Sequence, residues 1–336
     1  MKKAFAILLT LALVFVMIAA CGENEDRPLR VGFSQGGSDS DWSAANTASV
    51  SEAIERADWE LVFEDAEQVQ ENQIGALRDF ISQRVDYIVF NPVVETGWDA
   101  ILQEVKDAKI PLVLIDGTID LANREEFYVS WITNNFEHEG IAAANWLFDY
   151  LAHTGRSDDD INIVELKGTL DSGSQNQRLT GFHKTVEGHS NLHIRQSETG
   201  NYETSLGKTV MESFMGRAAA EGYTIDVVFA HNDDMALGAI QAIKEAGLNP
   251  GEDIIIIGVS AGKPAFEAII AGEMNATVES SPLMGQTVVD VINQHHAGTT
   301  PPKTMFNNVR VFDETLYSVF PDRYLQAGAD LANRVY

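Results

Sequence analysis

Gly258-Val259-Ser260-Ala261-Gly262 is the one stretch of this chain patterned to make or break a bond. It is a G-x-S-x-G between an apolar run and an apolar helical stretch, the setting in which a sharp strand-to-helix turn exposes a nucleophilic serine. Such a serine needs a histidine and an acid placed apart from it. Only His295 and His296 follow it, and Asp290 sits too near them on one helix to act as a separate member. Small residues also suit a plain tight turn. A serine hydrolase acting through Ser260 stays an alternative, and the chain is expected not to be an enzyme. Gly36-Gly37 could form an anion nest, but no Walker lysine follows and the G-x-G-x-x-G spacing is absent. His183, His189 and His193 lack metal-ligand spacing, and the adjacent His295 and His296 point to different helix faces. Asp158-Asp159-Asp160 reads as a solvated loop. No cofactor and no metal are expected.

Covalent chemistry of another kind is written at the start. Lys2 and Lys3 precede an apolar run from Ala4 to Ala20 broken only by Thr10, which fits a signal h-region better than a spanning helix. The run ends Ile18-Ala19-Ala20-Cys21, a lipobox: one aliphatic residue, two small ones, and the cysteine whose thiolate is alkylated. Residues 1–20 are expected to be a lipoprotein signal peptide and residues 21–28 a lipidated polar tether. Lipid on Cys21 would hold the protein outside the cytoplasm, at the cell surface or in the periplasm. Cys21 is the only cysteine, so no disulfide forms within the chain.

Composition narrows the partners. The 336 residues are enough for two domains, and 45% hydrophobic with 22% charged is an ordinary globular balance. Fifty acids against 23 bases give a net charge of −27 and leave no basic stripe for nucleic acid.

The elements behind these residues recur regularly. Apolar runs occupy Leu29–Gln35, Trp59–Phe63, Asp86–Asn91 and Pro111–Asp116, then Ile161–Leu166, His193–Arg195, Asp226–Ala230 and Asp253–Gly258. Amphipathic stretches separate them, as where Ile74, Leu77 and Ile81 mark one helix face. Runs such as Ile254–Ile257 are apolar on both faces, as in a covered central parallel strand. The fold class is therefore α/β, with two doubly wound parallel-sheet lobes, and ligands in such sheets sit at the carboxyl ends of strands. Those ends are polar: Ser34 to Asp39, Asn91-Pro92, Asp116-Gly117, His231 to Asp234, and Ser260. Any one of them could simply cap a helix; together they face one crevice. Trp42, Trp98 and Trp131 lie near it and could serve as core or as sugar-facing aromatics.

Val31-Gly-Phe-Ser-Gln35, Ser38-Asp-Ser-Asp-Trp42, Asn91-Pro-Val-Val94, Thr96-Gly-Trp98, Ala230-His-Asn-Asp-Asp-Met235 and Gly238 to Leu248 resemble the sugar-binding proteins of ABC importers, the type I periplasmic binding family. The similarity runs from about Leu29 to Tyr317. It implies two lobes joined by a three-crossover hinge, near residues 130–135, 279–283 and 307–311. The first lobe would comprise 29–132 plus 282–308, with Pro282 opening a helix, and the second 133–281 plus 309–336. It implies a sugar ligand, galactofuranose-like or a related small polar molecule, captured between the lobes by Phe33, Asp39, Trp42, Asp116, Arg178 and Asn232. Asp39 and Asp116 would accept from ligand hydroxyls, and Arg178 and Asn232 would donate. Arg178→Ala would then weaken binding and leave stability nearly unchanged. Ser43, Gly117 and Ala261 depart from the family pattern and are expected to line the same cleft and leave it roomier and less charged. The partners implied are an ABC transporter permease and the membrane, with the protein a monomer. Presentation of the ligand to a membrane kinase or chemoreceptor is the alternative role.

Overall fold

A computed structural model of the chain describes residues 27–38 and 40–336, so Cys21 and Asp39 lie outside the described residues. The chain opens as β1 (Arg30–Gln35), α1 (Asp41–Arg56), β2 (Glu60–Asp65), α2 (Gln70–Gln83), β3 (Tyr87–Phe90), α3 (Asp99–Asp107), β4 (Leu112–Ile115) and β5 (Ser130–Thr133). It continues as α4 (Phe136–His153), β6 (Ile161–Lys167), α5 (Gly173–Val186), β7 (Leu192–Thr199), α6 (Thr204–Glu221), β8 (Val227–Ala230), α7 (Asp233–Glu245), β9 (Ile255–Ser260), α8 (Lys263–Ile270) and β10 (Ala276–Glu279). The last elements are α9 (Gly285–His296), β11 (Thr304–Phe306), β12 (Val311–Asp313), β13 (Tyr324–Gln326) and the short α10 (Ala327–Asp330).

Two sheets result. One is six-stranded, β11-β5-β4-β3-β1-β2; the other is seven-stranded, β13-β12-β10-β9-β8-β6-β7. Both contain the 2-1-3-4-5 order of a doubly wound sheet, with the switch point beside β1 in one and β6 in the other. All pairings are parallel except β10 with β12.

The apolar runs become central strands because both faces are covered. Ile88 and Phe90 of β3 and Leu112 and Leu114 of β4 enter one core; Tyr87, Val89, Val113 and Ile115 enter the core on the opposite face. The same alternation divides β9, with Ile256 on one side and Ile255, Ile257 and Val259 on the other. Helix α1 starts at a capping box, Ser40 with Ser43, and buries Asn46, Val50, Ala53 and Ile54. Helices α4 and α5 cross where Gly140 meets α5: a Cβ there would stand 2.2 Å from the Arg178 carbonyl oxygen.

The chain passes between the sheets after β5, after β10 and after β11. Asn134 ties these passages together: Ser281 N donates to its Oδ1 at 3.1 Å, and so does Asn307 Nδ2 at 3.0 Å. Helix α9 follows β10 yet belongs with the first sheet. Met284, Val288, Val291 and Ile292 are buried against Val31, Val50 and Ile54, and at about 1.5–3 kcal/mol per large apolar side chain this outweighs any single polar tie. Pro282 does not open that helix, which begins at Gly285. Instead its carbonyl accepts from Asn46 Nδ2 at 2.9 Å. Strand β7 is longer than the His193–Arg195 run suggests, because its later residues are half-buried and polar. No helix among the described residues is long and apolar enough to cross a membrane.

Candidate functional site

The carboxyl ends of both sheets face each other across one cleft. Its cavity has a volume of about 100 Å³, well above the roughly 10–15 Å³ needed to hold one water. Gln35-Gly36 at the end of β1, Asn91-Pro92 after β3 and Asp116-Gly117 after β4 form one wall. Thr169 after β6, Tyr202 after β7, Asn232 after β8 and Ser260 at the end of β9 form the other.

Asp116 sits in the left-handed region at φ 51°, which Asp tolerates better than most residues. Its backbone is pinned: Thr133 Oγ1 donates to its carbonyl at 2.6 Å, and its N–H reaches the Ile132 carbonyl at 2.8 Å. Its carboxylate receives Asn134 Nδ2 at 3.3 Å. Burial raises its pKa to about 7, outweighing the pull of Arg178 and of the Asn134 hydrogen bond.

Arg178 reaches the cleft from the first turns of α5 and is held on three sides. Its Nε donates to Glu139 at 2.6 Å, Nη1 to the His231 carbonyl at 3.1 Å and Nη2 to Ser280 Oγ at 3.0 Å. Its guanidinium also lies 5.1 Å from the Phe136 ring centroid. A guanidinium has five N–H donors, so two remain for a ligand. Glu139, fully buried on α4, is pushed up by burial and drawn back by Arg178.

Under Arg178 lies a second buried carboxylate, Glu165. His183 Nε2 is 3.0 Å from it, His231 Nε2 3.1 Å and Ser197 Oγ 2.5 Å. Burial alone would raise Glu165, but the two histidines win and hold it well below the usual carboxylate range. Burial lowers His231 against the pull of Glu165, and because a carboxylate only accepts, the His231 Nε2 N–H is the donor. Its Nδ1 has no partner among the described residues. The arrangement fixes the end of β8, whose carbonyl orients Arg178.

Of the residues expected at the ligand, Trp42, Asp116, Arg178 and Asn232 line the cavity together. Phe33 does not. It is fully buried in the core, 5.4 Å from the Phe63 ring, because it lies before the carboxyl end of β1, on the same face as Gln35 but under the helices that cover the sheet. Asn232 lines the wall with its donors already used. It caps α7 through Met235 N at 3.0 Å, and its amide donates to the Tyr202 carbonyl at 3.0 Å and Asp234 Oδ2 at 2.9 Å. Trp42 donates to the Ser280 carbonyl at 2.6 Å. Trp98 and Trp131 are buried in the first-lobe core, and Trp131 Nε1 donates to the Gly117 carbonyl at 2.9 Å.

The three departing positions separate. Ser43 and Gly117 line the cavity, whereas Ala261 is buried in the core and Ser260 takes the lining position. Gly117 leaves no extra room, since a Cβ there would be 2.7 Å from the Pro92 carbonyl oxygen. Ser43 is spent on the α1 capping box. The G-x-S-x-G turn is a bracket for this wall. Ser260 at φ 134° and Ala261 at φ 59° are held by Asp233, which accepts from Gly262 N at 2.9 Å and Thr277 Oγ1 at 2.7 Å. Burial raises Asp233 to about 6. His295, required as a base for a hydrolase, is instead 2.9 Å from the Tyr87 hydroxyl on the first lobe.

Sequence reasoning missed Tyr202, Gln68, and Thr169 with Ser172 to Ser174 at the start of α5 on the cavity wall, and Glu139 behind it. Tyr202 was findable by the strand-end rule had β7 been read to its true end. Glu139 was not, since nothing in Phe136 to Gly140 marks a buried acid.

A family model described as a periplasmic binding protein domain matches residues 31–300. The galactofuranose-binding protein YtfQ of Escherichia coli (strain K12) is 41% identical over 277 residues, 82% of this chain and 85% of its own. A Mycobacterium smegmatis protein solved in complex with β-D-fucofuranose superposes with a TM-score of 0.82 at 40% identity, over 91% of this chain and 97% of that one. The periplasmic binding component of an arabinose ABC transporter from Shewanella sp. ANA-3, bound to α- and β-L-arabinofuranose, gives 0.80 at 38% identity, over 91% and 99%.

Proposed function

Since this chain belongs to the periplasmic binding protein family, we propose that it captures one sugar ring, in furanose form, between its lobes and delivers it to an ABC importer. The carrying observation is the opposition of Asp116 and Arg178 from separate lobes across one cavity. Asp116 is an acceptor with a single protein donor on its carboxylate among the described residues, and Arg178 has two N–H groups to spare. A polyol satisfies both: vicinal hydroxyls donate to the carboxylate while ring or hydroxyl oxygens accept from the guanidinium. Trp42 and Tyr202 add walls for the C–H faces of a ring. The work is binding, not catalysis. The relatives that bind galactofuranose, fucofuranose and arabinofuranose support the furanose assignment.

The proposal takes residues 1–20 as signal peptide, Cys21 as the lipidated anchor and 21–28 as tether. Residues 29–132 with 282–308, and 133–281 with 309–336, move as two bodies when ligand arrives, and the protein works as a monomer beside a permease. A thermal-shift and calorimetry panel of galactofuranose, fucofuranose and arabinofuranose tests the binding role. A ligand at 100 times its Kd should add about 2.7 kcal/mol of stability. No shift with any of the three, while the protein is folded, would refute the furanose assignment.

A further inference from the structure

Outside the cavity, the lobes meet at one edge of the cleft through the loop between β3 and α3. Glu95 of that loop accepts Asn176 Nδ2 from the first turns of α5 at 2.6 Å through its carboxylate Oε2. Its backbone N–H donates to the Asp171 carbonyl at 3.0 Å, just before the same helix. On its own lobe, the Glu95 carbonyl accepts from Asp120 N at 2.7 Å, so the loop is anchored from behind. Helix α5 offers room for this approach at Gly173, where a Cβ would lie 2.4 Å from Thr118 Cγ2 and 3.2 Å from Glu95 Oε1. A carboxylate at the first turn of a helix also meets its unpaired N–H groups and the positive end of its dipole. Glu95 does not line the ligand cavity.

We propose that Glu95 is an affinity-determining residue that never touches the ligand: it straps the closed lobes together by holding the start of α5. This rests on the sugar-capture reading above. A contact made only when the lobes close adds to the free energy of the closed, ligand-retaining state, and therefore slows ligand release. At the far edge of the cleft Asp41 approaches Asp233 and Asp234: burial together with those neighbouring acids raises Asp234 to about 7, partly offset by a hydrogen bond from the Asp41 backbone N–H.

Stopped-flow release and calorimetry with arabinofuranose, fucofuranose and galactofuranose test the strap. Glu95→Ala should weaken whichever sugar binds by roughly five- to tenfold, as expected for one partly exposed charged hydrogen bond. The loss should appear in the release rate, with the association rate little changed. Asn176→Asp should weaken binding further by setting two carboxylates together. The pair Glu95→Gln with Asn176→Asp reverses donor and acceptor and should restore most of the affinity. Unliganded melting temperatures should match the wild type, since the two side chains belong to different lobes. Glu95→Ala and Asn176→Asp both within twofold of wild type would overturn the strap, as would an equal loss of unliganded stability or failure of the swapped pair to recover. If the wild type binds no sugar in the panel, the furanose reading fails, and the strap falls with it.

Discussion

Replacing Arg178 by alanine should damage the fold as well as binding. The sequence, showing a family ligand contact near the start of a helix, suggests that stability would survive. The structure gives Arg178 and Glu139 side-chain exposures of 6% and 0% and a 2.6 Å hydrogen bond. Removing the guanidinium leaves a buried carboxylate with no counter-charge, and such broken pairs cost about 3–5 kcal/mol. At about 2–4 °C per kcal/mol for a domain of this size, the unliganded melting temperature should fall by roughly 6–20 °C. Thermal and urea unfolding of Arg178→Ala beside Arg178→Ala/Glu139→Gln separates the two roles. The second variant removes the stranded charge, so it should regain at least half of the lost stability and none of the sugar affinity. The sign with pH is also fixed. In Arg178→Ala, Glu139 keeps the burial that raises its pKa and loses the cation that lowers it. The folded state then holds a proton more tightly than the unfolded chain, and the penalty is largest above the folded pKa and shrinks as pH falls toward about 4. A melting temperature within about 2 °C of wild type, unchanged by the second substitution, would refute the reasoning.

Sugar affinity should depend on pH through Asp116. Its pKa is raised from 3.8 to about 7 with the lobes closed, so closing without a ligand favours the protonated carboxyl over the carboxylate. A ligand donating hydroxyls to the carboxylate reverses that preference. Calorimetry should show affinity climbing by at most about tenfold per pH unit up to pH 7 and levelling above, and Asp116→Asn should abolish the slope. Cys21→Ser should move the protein from the membrane fraction to the soluble one, and an unchanged distribution in fractionated cells would dismiss the lipid anchor. Gly140→Ala forces a Cβ to 2.2 Å from the Arg178 carbonyl. Urea unfolding should report a loss of about 1–3 kcal/mol or more, as for an overpacked core, and a neutral result would show that α4 and α5 can part.

The sequence by itself determined the two wound sheets, since apolar runs of strand length fit parallel strands covered on both faces. Period-two packing of Tyr87–Phe90 and Leu112–Ile115 into opposite cores is the physical form of that pattern. The strand-end pattern pointed to Asp116, and the family resemblance added Trp42 and Arg178; the three line one cavity. Tertiary structure decided the rest. Phe33 was lost to the core because it sits short of the end of β1 under the covering helices, and Asn232 spends its donors on Tyr202 and Asp234, partners distributed by the fold and invisible in a motif. The G-x-S-x-G turn became a wall braced by Asp233, because Thr277 and Gly262 reach that carboxylate from other elements. Glu139 and Glu95 became meaningful only when α4 and α5 brought Arg178 and Asn176 to them. Local patterns fix which face of an element is apolar, whereas the partners of a buried charge are chosen by packing between segments distant in the chain.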